Sequence, residues 1–264
     1  MNTNLYYFTG TGNGLYIAKT IRKRIETDGN TVTLIPINTL DLSKKITISA
    51  EHIGIIFPTY DMDAPTIVKK FANQVNVSYD AYLFLYSHSS SISKGSVHTI
   101  SKILSTNNIN VSNTFETILP PNSAVAYVSP QKIENMLTKG KITLNRNIDM
   151  ILNKTTSDKR RPSIVEDILL NTFKKFSSSV EHFMKFKVIT SDDSCNGCST
   201  CYKACPVQNI KMFDSRPIFE THCEMCFACI NLCPQKALSY GKMKKKNLVS
   251  YRHPEVTLKE LLYR

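Results

Sequence analysis

The chain has 264 residues, enough for one large or two smaller domains, and a formal net charge of +12. Its eight cysteines all fall between Cys195 and Cys233, which argues against disulfides in the remainder. No run approaches the roughly 18 apolar residues of a membrane-spanning helix. Met1 to Gly14 lacks the basic patch and apolar core of a signal peptide, so a cytoplasmic location is expected, where thiols stay reduced. The basic excess, densest at Lys242, Lys244, Lys245 and Lys246, reads as a solvated surface or as docking to an acidic partner. No helix-turn-helix, zinc finger or aromatic-basic platform accompanies it, so nucleic acid is not expected.

Leu5 to Phe8 is a short apolar run, read as a buried strand. It leads into Thr9-Gly10-Thr11-Gly12-Asn13-Gly14. Beyond the loop, Leu15, Ile17, Ala18, Ile21 and Ile25 share one helical face. A glycine-rich loop between a strand and a helix aims backbone N–H groups and a helix N-terminus at one point, which suits a phosphate. Neither a P-loop lysine nor the G-x-G-x-x-G spacing of a dinucleotide fold is present.

Further strands are predicted at Thr31 to Pro36, Ile53 to Pro58, Tyr82 to Tyr86 and Val111 to Leu119. Helices are predicted between them, at Ala64 to Val75 with Pro65 in its first turn, and at Ser96 to Leu104. Strands alternating with helices imply a doubly wound parallel five-stranded sheet, with ligands at the C-terminal ends of the strands. Residues 130–188 are helical in tone. Ile133, Met136 and Leu137, then Ile148, Ile151 and Leu152, suggest one broken helix. A polar link at 154–162 precedes a second helical pattern at 164–186, whose Phe stripe reads as core. Past the cysteines, the tail suggests only a helix at Val256 to Tyr263.

Cys195 to Pro234 carries C-x2-C-x2-C-x3-C-P twice, the bacterial two-cluster iron–sulfur signature. Three thiolates two residues apart can wrap three corners of one cubane. The fourth, in a turn that ends in proline, reaches the neighbouring cubane instead. One cluster would then take Cys195, Cys198, Cys201 and Cys233, the other Cys223, Cys226, Cys229 and Cys205. Zinc sites compete but give no reason for the third C-x2-C step or the prolines. A disulfide framework needs an oxidising compartment. Asn209-Ile210-Lys211 and Ala237-Leu238-Ser239 follow the two prolines at matching places, an internal repeat. Met212-Phe213 and Pro217-Ile218-Phe219 suit a hairpin that dries the space between the clusters.

The cysteine stretch resembles the dicluster ferredoxins, and Y-F-T-G-T-G-N is similar to the phosphate loop of the flavodoxins. Pro120-Pro121-Asn122 looks like an element of proteins that fuse the two, the EFR-type family ferredoxins, and this resemblance covers nearly the whole chain. It implies an α/β class, a flavodoxin-like domain over 1–160, a helical connector over 161–187 and an α+β dicluster ferredoxin domain over 188–240. A basic extension over 241–264 follows.

The resemblance implies two [4Fe–4S] clusters and FMN. Thr9, Gly10, Thr11, Gly12, Asn13 and Gly14 would hold the phosphate, although the flavodoxins have Ser or Thr where Gly14 stands. Pro58, Thr59 and Tyr60 would cover a face of the flavin, with Ser87 and His88 contributing from the loop after the fourth strand. The implied function is electron transfer between FMN and the clusters, with a redox partner protein. Two alternatives are a flavin-dependent reductase of a small substrate, and a cluster-only ferredoxin whose flavodoxin-like domain is a ligand-free docking module. No catalytic dyad or triad is visible.

Overall fold

The protein was analysed as a computed structural model, which describes residues 2–27, 29–60, 62–78, 80–91, 95–122, 128–156, 189–241 and 250–263. The predicted connector, the helix at 164–186 and the lysine cluster at 242–246 lie outside these residues. Among the described residues no helix is long and apolar enough to cross a membrane.

Chain order gives β1 (Asn2–Tyr7), α1 (Asn13–Glu26), β2 (Thr31–Pro36), β3 (Ile46–Ile48), β4 (His52–Pro58), α2 (Thr66–Gln74) and β5 (Val75–Val77). Then come β6 (Tyr82–Ser89), α3 (Gly95–Thr106), β7 (Asn113–Ile118) and α4 (Pro130–Leu152). Five strands form a parallel sheet in the order β2-β1-β4-β6-β7, while β3 and β5 pair separately. Counting only the sheet strands, this is the 2-1-3-4-5 order of the flavodoxin-like fold.

Side chains alternate across the pleat, so each central strand feeds two cores. Leu5, Tyr7, Ile56, Phe84 and Tyr86 face Ile17, Ile21 and Ile25 of α1 and Leu144, Ile148 and Ile151 of α4. Tyr6, Phe8, Ile55, Phe57, Leu83 and Leu85 face Val68 and Phe71 of α2 and Ile100 and Leu104 of α3. Helices on both faces leave the C-terminal strand ends as the edge where β1, β4 and β6 present their loops.

Two expectations change here. The broken helix is one continuous helix, α4. Ser87 and His88 are not in a loop, because β6 runs on to Ser89, paired on one side with Phe57 and Pro58 and on the other with Glu116 and Thr117. Strand pairing on both sides holds them in the sheet, buried.

The C-terminal part is small and built twice. A five-residue helix, Thr200–Ala204, is followed by the hairpin β9 (Ile210–Phe213) and β10 (Arg216–Phe219). A second five-residue helix, Ala228–Leu232, is followed by β11 (Leu238–Tyr240), which pairs antiparallel with β8 (Ile189–Ser191). The hairpin forms as expected, but Phe213 and Ile218 point outward, 65% and 49% exposed. The expected tail helix is a single 3-10 turn at Lys259–Leu261.

Candidate functional site

The eight cysteines fall into two groups. Cys195, Cys198, Cys201 and Cys233 line one pocket, closed by Met212, Ala237 and Leu238. Burial, then the neighbouring Cys233, Cys195 and Cys198, push the Cys201 thiol up to about 11. Burial and the sulfurs of Cys223 and Cys205 likewise raise Cys226, and burial with Cys226, Cys223 and Cys205 raises Cys229. Cys205 therefore sits with the second trio, and Cys233 with the first. Cys201 also acts on Cys229, so the two groups are adjacent. Buried thiols raised in this way do not ionise alone; a cation among them is what turns them into thiolate ligands. Among the described residues no group of three or more Cys, His, Asp or Glu side chains is placed to hold a single metal ion.

The backbone repeats between the halves. Positive φ occurs at Gly197 and Met225, at Ser199 and Phe227, and at Gln208 and Lys236. Each pair stands at the same place in its cysteine run. The turns after the prolines give matching N–H···S bonds, from Asn209 N to Cys205 Sγ at 3.2 Å and from Ala237 N to Cys233 Sγ at 3.3 Å. Met225 N adds a third, to Cys223 Sγ at 3.3 Å. Ile189, Ile210, Ile230, Leu238 and Tyr240 form the dry wall around the sulfurs.

The second group lies against the sheet domain. Asn122 donates to Cys226 O at 2.7 Å and to Tyr60 Oη at 3.2 Å, and its carbonyl accepts from Asn231 Nδ2 at 2.8 Å. The Glu224 carboxylate accepts from Thr66 N at 2.7 Å and Ile67 N at 2.8 Å, capping α2 from the other domain. Burial raises the Glu224 carboxyl, opposed by those two N–H bonds and by Lys69 and Lys70. Anions are favoured at a helix N-terminus, where unpaired N–H groups point outward. Glu224→Ala should lower stability by about 1–3 kcal/mol by orphaning both donors. An unchanged urea midpoint in the iron-loaded protein would show that the contact contributes nothing.

Asn122 was legible only through its resemblance to a family element. Asn231 and Glu224 carried no sequence signal, since a polar residue between cysteine ligands reads as surface.

The Thr9–Gly14 loop stands at the C-terminal end of β1, as expected, but beneath the second domain. Thr9 and Thr11 are 2% exposed and Asn13 is 4% exposed. Thr9 Oγ1 accepts from Gly12 N at 3.1 Å and Gly14 N at 3.2 Å. Asn13 Nδ2 donates to Pro120 O at 2.9 Å. A Cβ at Gly10 would lie 2.9 Å from Cys226 O and 3.2 Å from Tyr60 Oη. At Gly12, whose φ is +108°, it would lie 3.1 Å from both His253 Cβ and Val256 Cβ. A side chain at Gly14 would collide with Phe8 O, so the Ser or Thr of the flavodoxins has no room there. The loop residues are all buried, and the Gly12 and Gly14 amides are already bonded to Thr9 Oγ1. This arrangement does not fit an FMN phosphate.

The other predicted flavin contacts sit nearby. Pro58 ends β4, and the Thr59 hydroxyl bonds Ser96 Oγ at 2.6 Å. Tyr60 packs against both sheet cores. Ser87 Oγ and His88 Nε2 are buried without a hydrogen-bond partner among the described residues.

Residues 187–246 match a family model described as a 4Fe-4S dicluster domain. A curated relative, described as an uncharacterized protein of Methanocaldococcus jannaschii, is 34% identical over 77 residues, 29% of this chain and 27% of its own length. The match thus spans about a quarter of that relative. Among solved structures, a flavodoxin of Streptococcus pneumoniae TIGR4 aligns with a TM-score of 0.38 and 14% identity, covering 56% of this chain and 99% of its own. An azoreductase of Bacillus anthracis str. Sterne aligns with a TM-score of 0.40 and 9% identity, covering 56% and 99%. The strand order β2-β1-β4-β6-β7 carries the fold assignment. The chain joins a flavodoxin-like α/β domain to a 4Fe-4S dicluster domain.

Proposed function

We propose that the protein is an electron carrier that works through two [4Fe–4S] clusters, with the flavodoxin-like domain as their scaffold. The observation that carries this reading is the sorting of the eight thiols into two adjacent groups of four, each completed by a cysteine from the other half. Each cluster, when bound, takes up and returns one electron. The chain's part is to hold, insulate and orient. The cysteines supply the thiolates. The amides of Asn209, Ala237 and Met225 stabilise charge on three sulfurs. The apolar wall excludes water.

The two groups differ in surroundings. Cys198 is exposed, with Cys195 and Cys233 half-buried around it. In the other group only Cys223 is exposed, and Cys205, Cys226 and Cys229 are buried. The first group is therefore the port for a redox partner protein, and the second is the inner cluster held against the sheet domain. No step is assigned to a flavin, because the phosphate loop does not fit one.

Protein prepared without air should contain about eight iron and eight acid-labile sulfide per chain, and should take up two electrons. Zinc in place of iron, or four iron per chain, would refute the reading.

A further inference from the structure

We propose that the Thr9–Gly14 loop is the seat of the chain's own C-terminal segment, Tyr251 to Tyr263, which stands where a phosphate would stand and clips the two domains together. The tail gave no sequence signal beyond a weak helical pattern. In the structure it crosses the loop and meets it at three points. Tyr251 Oη donates to Asn13 Oδ1 at 2.6 Å, His253 N donates to Thr11 O at 2.9 Å, and Tyr263 Oη donates to Thr9 O at 3.2 Å.

The polarity of these contacts is the core of the argument. A phosphate dianion only accepts hydrogen bonds, so its site must present donors. This loop presents three acceptors to its occupant and closes two of its donors, Gly12 N and Gly14 N, on Thr9 Oγ1. The acceptors on that face complement a peptide bearing N–H and O–H groups.

Shape agrees with polarity. The bare Gly12 lets His253 Cβ and Val256 Cβ come against the loop. The His253 ring stacks on Tyr16 of α1 at 3.9 Å and 18°. Val256 and Leu261 are buried in the core that also holds Leu15 and Tyr16. Lys19 pairs with Glu260 at 2.8 Å on the rim. The same segment holds the dicluster domain, through Tyr251 N to Asn231 Oδ1 at 2.8 Å and Tyr263 N to Lys203 O at 2.8 Å. It bonds both domains along one short stretch.

The inference goes beyond the electron-carrier reading, and the two can fail separately. The test uses the full chain with its iron in place. Hydrogen exchange should show protection at residues 10–14 and at 251–263. In the double variant Tyr251→Phe, Tyr263→Phe, protection should fall at both stretches together, by about tenfold or more. Wild-type protein mixed with excess FMN and passed through a sizing column should retain no flavin, read by absorbance and by the phosphorus resonance. Unchanged protection in the double variant would overturn the proposal. So would stoichiometric FMN on wild-type protein with a phosphorus shift that Thr11→Ala abolishes. Iron content in the same samples reports on the carrier reading independently.

Discussion

Replacing Cys205 with alanine should destroy the inner cluster and leave the outer one with all four of its ligands. In sequence Cys205 belongs to the first run, four residues after Cys201. In space it acts on Cys223, Cys226 and Cys229. The Ser199–Gln208 stretch explains how. Ser199 at φ 60° starts the short helix, Cys205 leaves it extended, and Gln208 at φ 57° turns the chain back. The Cys205 sulfur, which accepts from Asn209 N, is thereby presented to the neighbouring group. Cys233 makes the matching excursion.

Cys205→Ala should therefore drop iron from about eight to about four per chain, and Cys233→Ala should remove the other four. Paramagnetic resonance of each reduced variant distinguishes the remaining cluster. Cluster binding and folding are coupled, so some loosening of the surviving site is expected. If Cys205→Ala and Cys198→Ala emptied the same cluster, the crossing would be wrong and each run would hold its own site.

How far the sequence reaches depends on the range of the contacts. The central strands β4 and β6 are apolar runs buried on both faces, so local composition finds them, while the edge strands β2 and β7 are marked by β-branched residues and alternation. The cysteine groups are legible because their spacing encodes the geometry of the group they hold. The expected broken helix is continuous, and α4 runs unbroken through Gly140. There a Cβ would lie 2.6 Å from Leu119 Cδ2, so the glycine serves close packing on the end of β7 and not a break. The closure of the phosphate loop was missed for a different reason. Its partners come from far along the chain, with Tyr251 standing 238 residues from Asn13. No local pattern in either stretch announces the other. The tail carried only a weak helical pattern. Its helical spacing was overridden because the backbone N–H groups of His253 and Tyr263 bond the two domains instead.

Acid should unfold the protein steeply, between about pH 6.5 and 4. Three imidazoles are buried in it. Burial and the neighbouring His253 hold His88 down to about 3. Burial and Lys19 hold His253 at about 4. Burial and Lys154, opposed by Glu51, hold His52 at about 4. Each has a buried Nε2 without a partner among the described residues, so the folded state has nothing to offer the proton. In the unfolded chain these groups return to ordinary values near 6.5. Across the window the unfolded state binds more protons than the folded one, so stability rises with pH. The contribution is complete above about pH 6.5 and is lost as pH falls toward the folded values. Three such groups amount to about 4 kcal/mol per pH unit at the steepest point, against a total of about 5–15 kcal/mol for a typical domain.

Iron release in acid could mimic this behaviour, and His52 separates the two. It opens β4 at the end of the parallel sheet opposite Pro58, away from the cysteines. His52→Gln should leave iron content unchanged and reduce the slope of the urea midpoint with pH from about three protons to about two. Equal slopes for His52→Gln and the wild-type protein would remove buried histidine as the cause.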